Sequence, residues 1–260
     1  MSIRIILAKI TLKLGAFIKS LPVVIMKPDD LITFSRNTYA KSIFVERFSE
    51  ESFLETGLHQ DELKIIDQFP NKSGKLLLLG VGGGREAIPL ARLGFCVTGV
   101  DFIPEMVDRA LENASRHGVK IEGLVQELSQ LDLPKDYFDI IWMSRSMYSS
   151  VPTRKKRVEM VQRIAKALKP GGAFICQFHQ DQNYHPSKNG VLLRKVIGYC
   201  VLGNFEYEPG DTLWANVEFI HAFSSEEELR SEIEDGGLSV EKFLSKGSSP
   251  SGCAICKKIA

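Results

Sequence analysis

Residues 75–101 read KLLLLGVGGGREAIPLARLGFCVTGVD, and the punctuation of that stretch sets the fold. Leu76 to Leu79 form a short apolar run, the pattern of a strand buried on both faces. The run stops at Gly80, and Gly82, Gly83 and Gly84 follow almost at once. From Arg85 the period becomes helical, with Ala87, Leu90, Ala91 and Leu93 along one side, and Gly94 ends the helix. A second apolar run, Cys96 to Val100, delivers an acid, Asp101. Strand, glycine turn, helix and parallel strand make one βαβ unit. Glycines permit positive φ and leave no Cβ between backbone and ligand. The helix N-terminus behind the turn favours an anionic or carboxylate-bearing ligand. An acid roughly 20 residues on, at the end of the second strand, can accept hydrogen bonds from ribose hydroxyls. The stretch points to a nucleoside-containing cofactor; the plain alternative is a tight structural turn.

The rest of the composition sets bounds. The chain has 260 residues, 44% hydrophobic and 25% charged, an ordinary globular balance. A formal net charge of +1 gives no global attraction to nucleic acid, and none is expected as a partner. Cys96, Cys176, Cys200, Cys253 and Cys256 are odd in number and scattered, which suits reduced thiols in a cytoplasmic setting. Cys253 and Cys256 have the spacing of a metal pair, but residues three apart in a strand point to opposite faces, so no metal site is expected. No run approaches the roughly 18 apolar residues of a membrane span.

Outward from the decisive stretch, residues 1–27 carry Arg4, Lys9, Lys13, Lys19 and Lys27 and no acid. Ile3, Leu7, Ile10, Leu14, Phe17 and Leu21 share one helical face, and Pro22 ends the pattern. Such a basic amphipathic helix, residues 1–21, suits peripheral contact with a membrane, a targeting segment, or a lid with its lysines in water. Residues 28–72 read as helical. On the other side, Pro104 opens a helix running to about His117, Ile121 to Gln126 is a third strand, and Phe138 to Met143 a fourth. A long helix from Pro152 and Thr153 ends at Lys169-Pro170-Gly171-Gly172, and Ala173 to Phe178 is a fifth strand. Ser224 with Glu227 caps a helix closing at Gly236-Gly237. Val240 to Leu244 and Ala254 to Lys258 follow without a helix between them, so they should pair antiparallel.

With these residues in place the chain resembles a class I S-adenosylmethionine-dependent methyltransferase. The likeness is close from Lys75 to Gly172. It rests on Gly80, Gly82 and Gly84 in the turn, Asp101 after the second strand, Glu127 after the third, the Phe138-Asp139 pair, and LKPGG at Leu168 to Gly172. The resemblance implies an α/β, Rossmann-like sheet of seven strands, mostly parallel with an antiparallel last strand, helices on both faces and an N-terminal helical lid. It implies a segment 1–72, a methyltransferase domain 73–260 and a substrate-side insertion at about 180–221. S-adenosyl-L-methionine would be the cofactor, against Gly80, Val81, Gly82, Gly83, Gly84, Asp101, Phe102, Ile103, Glu127, Leu128 and Ser144. The family often has an acid two residues before the first glycine; here that position is Leu78.

The implied reaction is methyl transfer; the basic amphipathic N-terminus and the aromatic insertion point to a small-molecule acceptor, apolar or lipid-like. The cofactor carries an activated methyl group, so a general base is needed only for a hydroxyl or a protonated amine. Candidates fall at the carboxyl ends of the fourth and fifth strands, where open α/β sheets bind ligands. His179 leads, with His221 and Tyr148 behind it; Arg145, Asp181, Tyr184 and His185 are near in sequence, and Tyr39 could close its ring over the sulfonium. Arg154 to Arg157 is a basic run read as a solvated face. Two rival readings exist. An NAD(P)-dependent oxidoreductase would want glycine or alanine three residues after its second glycine, where bulky Arg85 stands. A non-catalytic binding module would retain the fold without the reaction.

Overall fold

The computed structural model describes residues 2–69, 71–181, 187–244 and 251–258. Six helices come first: α1 (Ile3–Lys19), α2 (Pro22–Ile25), α3 (Pro28–Tyr39), α4 (Ser42–Ser49), α5 (Glu51–Leu54) and α6 (Gln60–Ile66). Strands and helices then alternate: β1 (Gly74–Leu79), α7 (Ala87–Arg92), β2 (Phe95–Asp101), α8 (Pro104–Arg116), β3 (Glu122–Val125), β4 (Phe138–Met143), α9 (Arg154–Ala167) and β5 (Leu168–His179). The insertion holds α10 (Lys188–Cys200) and the antiparallel hairpin β6 (Asp211–Trp214) and β7 (Glu218–His221). The chain closes with α11 (Glu226–Asp235), β8 (Leu238–Leu244) and β9 (Ser251–Lys258).

The main sheet has seven strands in the order β3-β2-β1-β4-β5-β9-β8. β1 to β5 pair in parallel, and β9 is antiparallel to both β5 and β8, as the terminal pair required. β1 is central, and all four of its leucines are fully buried. They alternate between faces. Leu77 and Leu79 join Ile141, Phe174 and the α9 residues Val161 and Ile164, whereas Leu76 and Leu78 join Trp142 and the α7 and α8 residues Leu90 and Ala110. Each such leucine contributes about 1.5–3 kcal/mol of burial, so the register of β1 locks both helical layers at once. Cys253 and Cys256 fall in these opposite clusters, as strand geometry dictates.

Several local details differ from the sequence reading. Pro22 ends one helix and also opens the short α2. LKPGG opens β5, and its Lys169 is held 2.8 Å from both oxygens of Asp139. Asp139 also accepts from the Lys75 backbone N–H at 2.8 Å, so the Phe138-Asp139 pair ties the starts of three strands together at the edge away from the turn. The cap of α11 is Ser225, whose hydroxyl accepts the Glu228 N–H, while Glu228 reaches back to Ser224. The basic run at the start of α9 is not wholly solvated: Arg157 is fully buried.

Candidate active site

The strand order reverses between β1 and β4, which leaves a crevice at their carboxyl ends. A cavity of about 370 Å³ lies there, within the usual range for small-ligand sites. Its floor is the turn after β1, its sides are the segments after β2, β3 and β4, and its roof comes from the N-terminal helices and β7.

The turn is shaped by a hydrogen bond at Gly82 and a close backbone approach at Gly83. Gly82 has φ +49°, and a Cβ there would meet nothing within 4 Å, so the backbone faces open space. Its N–H donates to Asp101 Oδ2 at 3.1 Å, and Ile103 N–H donates to Oδ1 at 3.1 Å. Those bonds aim the carboxylate along the turn. Burial outweighs them and pushes Asp101 up to about 6. A ligand that brought hydroxyl donors would relieve that cost, which is what a ribose does. At Gly83 a Cβ would lie 2.2 Å from the carbonyl oxygen of Phe48. The helical segment before the sheet therefore rests directly on the bare backbone of the turn.

Of the residues picked from sequence for the cofactor, Gly80, Val81, Gly82, Gly83, Asp101, Phe102, Ile103, Glu127, Leu128 and Ser144 all line this cavity. Gly84 lies beneath it, against Ala110 of α8. Glu127 is held in place by its own Ser129, whose backbone N–H donates at 2.8 Å and whose hydroxyl donates as well.

Sequence reasoning missed a buried charged network beside the turn. Arg85 folds back and donates to Glu62 at 2.8 and 2.9 Å, to the Gly57 carbonyl at 2.6 Å, and to Glu86. Ser144 donates to Glu86 from the other side. Burial raises Glu86 above the usual carboxylate range, against the opposing pull of Arg85. Burial also acts to raise Glu62, but Arg85 outweighs it and Glu62 lies low. Leu78 sits in the core, while Glu86 brings a carboxylate into the cavity at the start of α7. That helix begins at Ala87, two residues later than its apolar period suggests, and Glu86 occupies its N-terminal position. An acid just ahead of a helix was a legible signal. Its partner Glu62 lies 23 residues upstream of Arg85 and was not legible.

A family model described as a methyltransferase domain matches residues 76–172. A SAM-dependent methyltransferase of Methanosarcina mazei is 25% identical and superposes with a TM-score of 0.59, over 78% of this chain and 99% of that one. Residues 76–172 therefore match a methyltransferase domain, and the chain as a whole is similar in fold to S-adenosylmethionine-dependent methyltransferases. Over 100 residues it is 37% identical to a ubiquinone biosynthesis O-methyltransferase of Paramagnetospirillum magneticum, 38% of either chain. Over 156 residues it is 28% identical to phosphoethanolamine N-methyltransferase 3 of Arabidopsis thaliana, 59% of this chain and 31% of that protein. It spans less than half the length of these curated relatives.

The structure does not bring His179, His221 or Tyr148 to the cavity. His179 sets its ring against Trp214, tilted by 59° with the centroids 5.2 Å apart, outside the lining. Tyr148 is fully buried and donates to Glu232 Oε2 at 2.9 Å. His221 is fully buried between Asp211, 2.8 Å from Nδ1, and Glu228, 3.4 Å from Nε2. Burial and Arg157 work to lower its pKa, but the two carboxylates win and hold it at about 9, protonated at neutral pH. A protonated imidazole cannot take a proton. Tyr184 and His185 lie outside the described residues. Arg145 and Tyr39 do line the cavity. Two titratable groups not singled out in the sequence join them. Glu218, on β7, accepts from the Tyr39 hydroxyl, and burial raises both groups. His59, just before α6, is lowered by burial and by Arg85, so it stays neutral near pH 7.

Proposed function

We propose that the protein transfers the methyl group of S-adenosylmethionine to a hydroxyl on a small acceptor with an apolar body. One observation carries this reading: the glycine turn, Asp101 and an aromatic roof face the same cavity. Asp101 would take the ribose hydroxyls. Phe102 and Ile103 would flank the adenine, with Glu127 and the Leu128 N–H at its edge. Glu86 and Ser144 would receive the methionine ammonium, in place of the acid absent at Leu78. When bound, the cofactor supplies a methyl group already activated on a sulfonium.

The remaining work is positional and belongs to this chain's own residues. Ile32, Phe48, Phe53 and Met147 exclude water from the cavity and suit an apolar acceptor. Holding the reacting atoms in line supplies roughly 7–11 kcal/mol of the barrier. His59 is the neutral base within the cavity and would accept the hydroxyl proton, while the Tyr39–Glu218 pair forms the opposite polar contact. The same reading places residues 1–21 on a membrane surface, since Ile3, Leu7, Ile10 and Leu14 of α1 are all exposed on a helix whose charges are all basic.

Calorimetry with S-adenosylhomocysteine tests the cofactor assignment. Asp101→Ala should weaken binding at least about tenfold, the loss of one good charge-assisted contact. Unchanged affinity would overturn the assignment. Transfer of a tritiated methyl group to fractionated lysate should label the lipid-soluble fraction. Label confined to polar metabolites, protein or RNA would refute the apolar acceptor.

A further inference from the structure

Helix α10 is packed with its apolar stripe outward. Leu192, Val196 and Tyr199 recur at helical spacing on its outer side and are 63%, 49% and 74% exposed. The chain leaving it adds Val201, Leu202 and Phe205, each at least half exposed. The helix cannot roll to hide them. Its inner residues Val191 and Ile197 pack on the cluster of Val23, Val24 and Phe219. At Gly198 a Cβ would lie 2.9 Å from the Asn204 carbonyl and 3.2 Å from that of Val24, so this side is fixed against backbone.

Helix α1 adjoins it. Arg194 of α10 donates to Ser20 at 3.0 Å and sits 5.8 Å over the Phe17 ring. Ile3, Leu7, Ile10, Leu14 and Ile18 share one face of α1 and are all more than half exposed. A 17-residue helix with so much apolar surface in water is not sustained by propensity alone. Neither helix carries an acid. Basic residues flank both stripes: Arg4, Lys9 and Lys19 on one helix, Lys188, Arg194 and Lys195 on the other.

We propose that α1, the outer face of α10 and the 201–205 turn form one docking surface for an anionic lipid bilayer. The stripes of the two helices, whose own charged residues are all cations, match a surface of acyl chains beneath anionic head groups. Two copies of such a face would repel each other through like charge. The inference deepens the peripheral contact of residues 1–21, on which it rests, by adding a second element 170 residues away in sequence. It also links membrane to cavity. The cluster under α10 contains Leu31 of α3 and Phe219 of β7, the two elements that carry Tyr39 and Glu218 in the roof. An apolar acceptor drawn from the bilayer would meet the cavity on the docked side.

Co-sedimentation of the full chain with vesicles tests this, using phosphatidylcholine alone or mixed with phosphatidylglycerol. The wild-type chain should partition onto the anionic vesicles, less so at high salt. The variant Leu192→Ser, Val196→Ser, Tyr199→Ser alters exposed positions only and should partition at least about tenfold less. Its affinity for S-adenosylhomocysteine should be unchanged, which certifies the fold. If the triple variant binds as wild type while a form lacking residues 1–19 does not, α10 is no part of the surface and the contact of residues 1–21 stands. If the wild-type chain binds neither vesicle, both readings fall. If the wild-type chain is instead a dimer that the triple variant dissociates, the face joins two copies and the lipid assignment is overturned.

Discussion

Two buried charged networks stand in this molecule, built from the same residue types and put to different ends. In the first, Arg85 holds Glu62 and Glu86, and Ser144 completes the set. Three of its members, Arg85, Glu86 and Ser144, line the cavity. In the second, Arg157 donates to Glu232 at 2.7 and 2.9 Å and to Glu208 at 3.1 Å, with Tyr148 on Glu232 and His221 on Asp211. None of these lines the cavity. Burying ions is costly unless their hydrogen bonds are satisfied, and both networks satisfy them. Only the first keeps a face open to a ligand. The second joins α9, α11 and the β6–β7 hairpin to the turn after β4. It thereby fixes the hairpin from which Glu218 reaches the roof. Residue chemistry alone does not distinguish a working carboxylate or imidazole from a structural one. Access does.

The sharpest way to break the comparison is to remove a partner from the closed network. Arg157→Met leaves Glu232 and Glu208 without their cation and should cost about 3–5 kcal/mol of stability. Urea denaturation measures it. The fraction that remains folded should bind S-adenosylhomocysteine as before. A loss below about 1 kcal/mol, or a parallel loss of affinity, would show that the two networks are not separate.

That distinction also marks what the sequence could reveal. The Lys75 to Asp101 unit, the long helix before LKPGG and the terminal antiparallel pair were all legible. Each is written in local periodicity and punctuation that a neighbouring segment does not have to complete. Catalytic candidates were not legible in the same way. His179, His221 and Tyr148 were chosen by type and by nearness to strand ends, yet their fates depend on Trp214, on Asp211 across the β6–β7 hairpin, and on Glu232, which comes from far along the chain. His59 and Glu218 went unnoticed because they come from the helical segment and from a hairpin inside the insertion. The outward stripe of α10 was hidden for a related reason. Its period is plain, but nothing local says which side meets the core. Gly198 and the α2 backbone decide that.

The open side of the comparison is tested next through the pH dependence of turnover. His59 is held below the ordinary histidine value by burial, Arg85 and Arg145, with Glu62 and Asp61 opposing. A base whose pKa is lowered stays unprotonated until the pH falls below that value. The rate should therefore hold through pH 6.5 and decline only in more acid solution. His59→Gln should lower the rate by about 100-fold and erase that acidic limb. If the limb persists in His59→Gln and disappears in Glu218→Gln, proton acceptance belongs to the roof carboxylate.

A smaller effect separates the networks from within. Glu86→Gln keeps the shape of the side chain and an oxygen for the Ser144 hydroxyl. Arg85 retains Glu62 on two bonds and the Gly57 carbonyl on a third. Stability should thus change by less than about 1 kcal/mol, unlike the loss at Arg157, because the remaining cation still has an anion. What the variant does lose is a negative charge facing the cavity. The methionine ammonium would then meet a neutral amide beside an arginine, and affinity for S-adenosylhomocysteine should fall about tenfold. Thermal melting of the ligand-free protein and calorimetry of the ligand read the two quantities independently. A variant that melts early but binds normally would mean that Glu86 serves the fold as Glu232 does, and that the turn recognises its ligand without it.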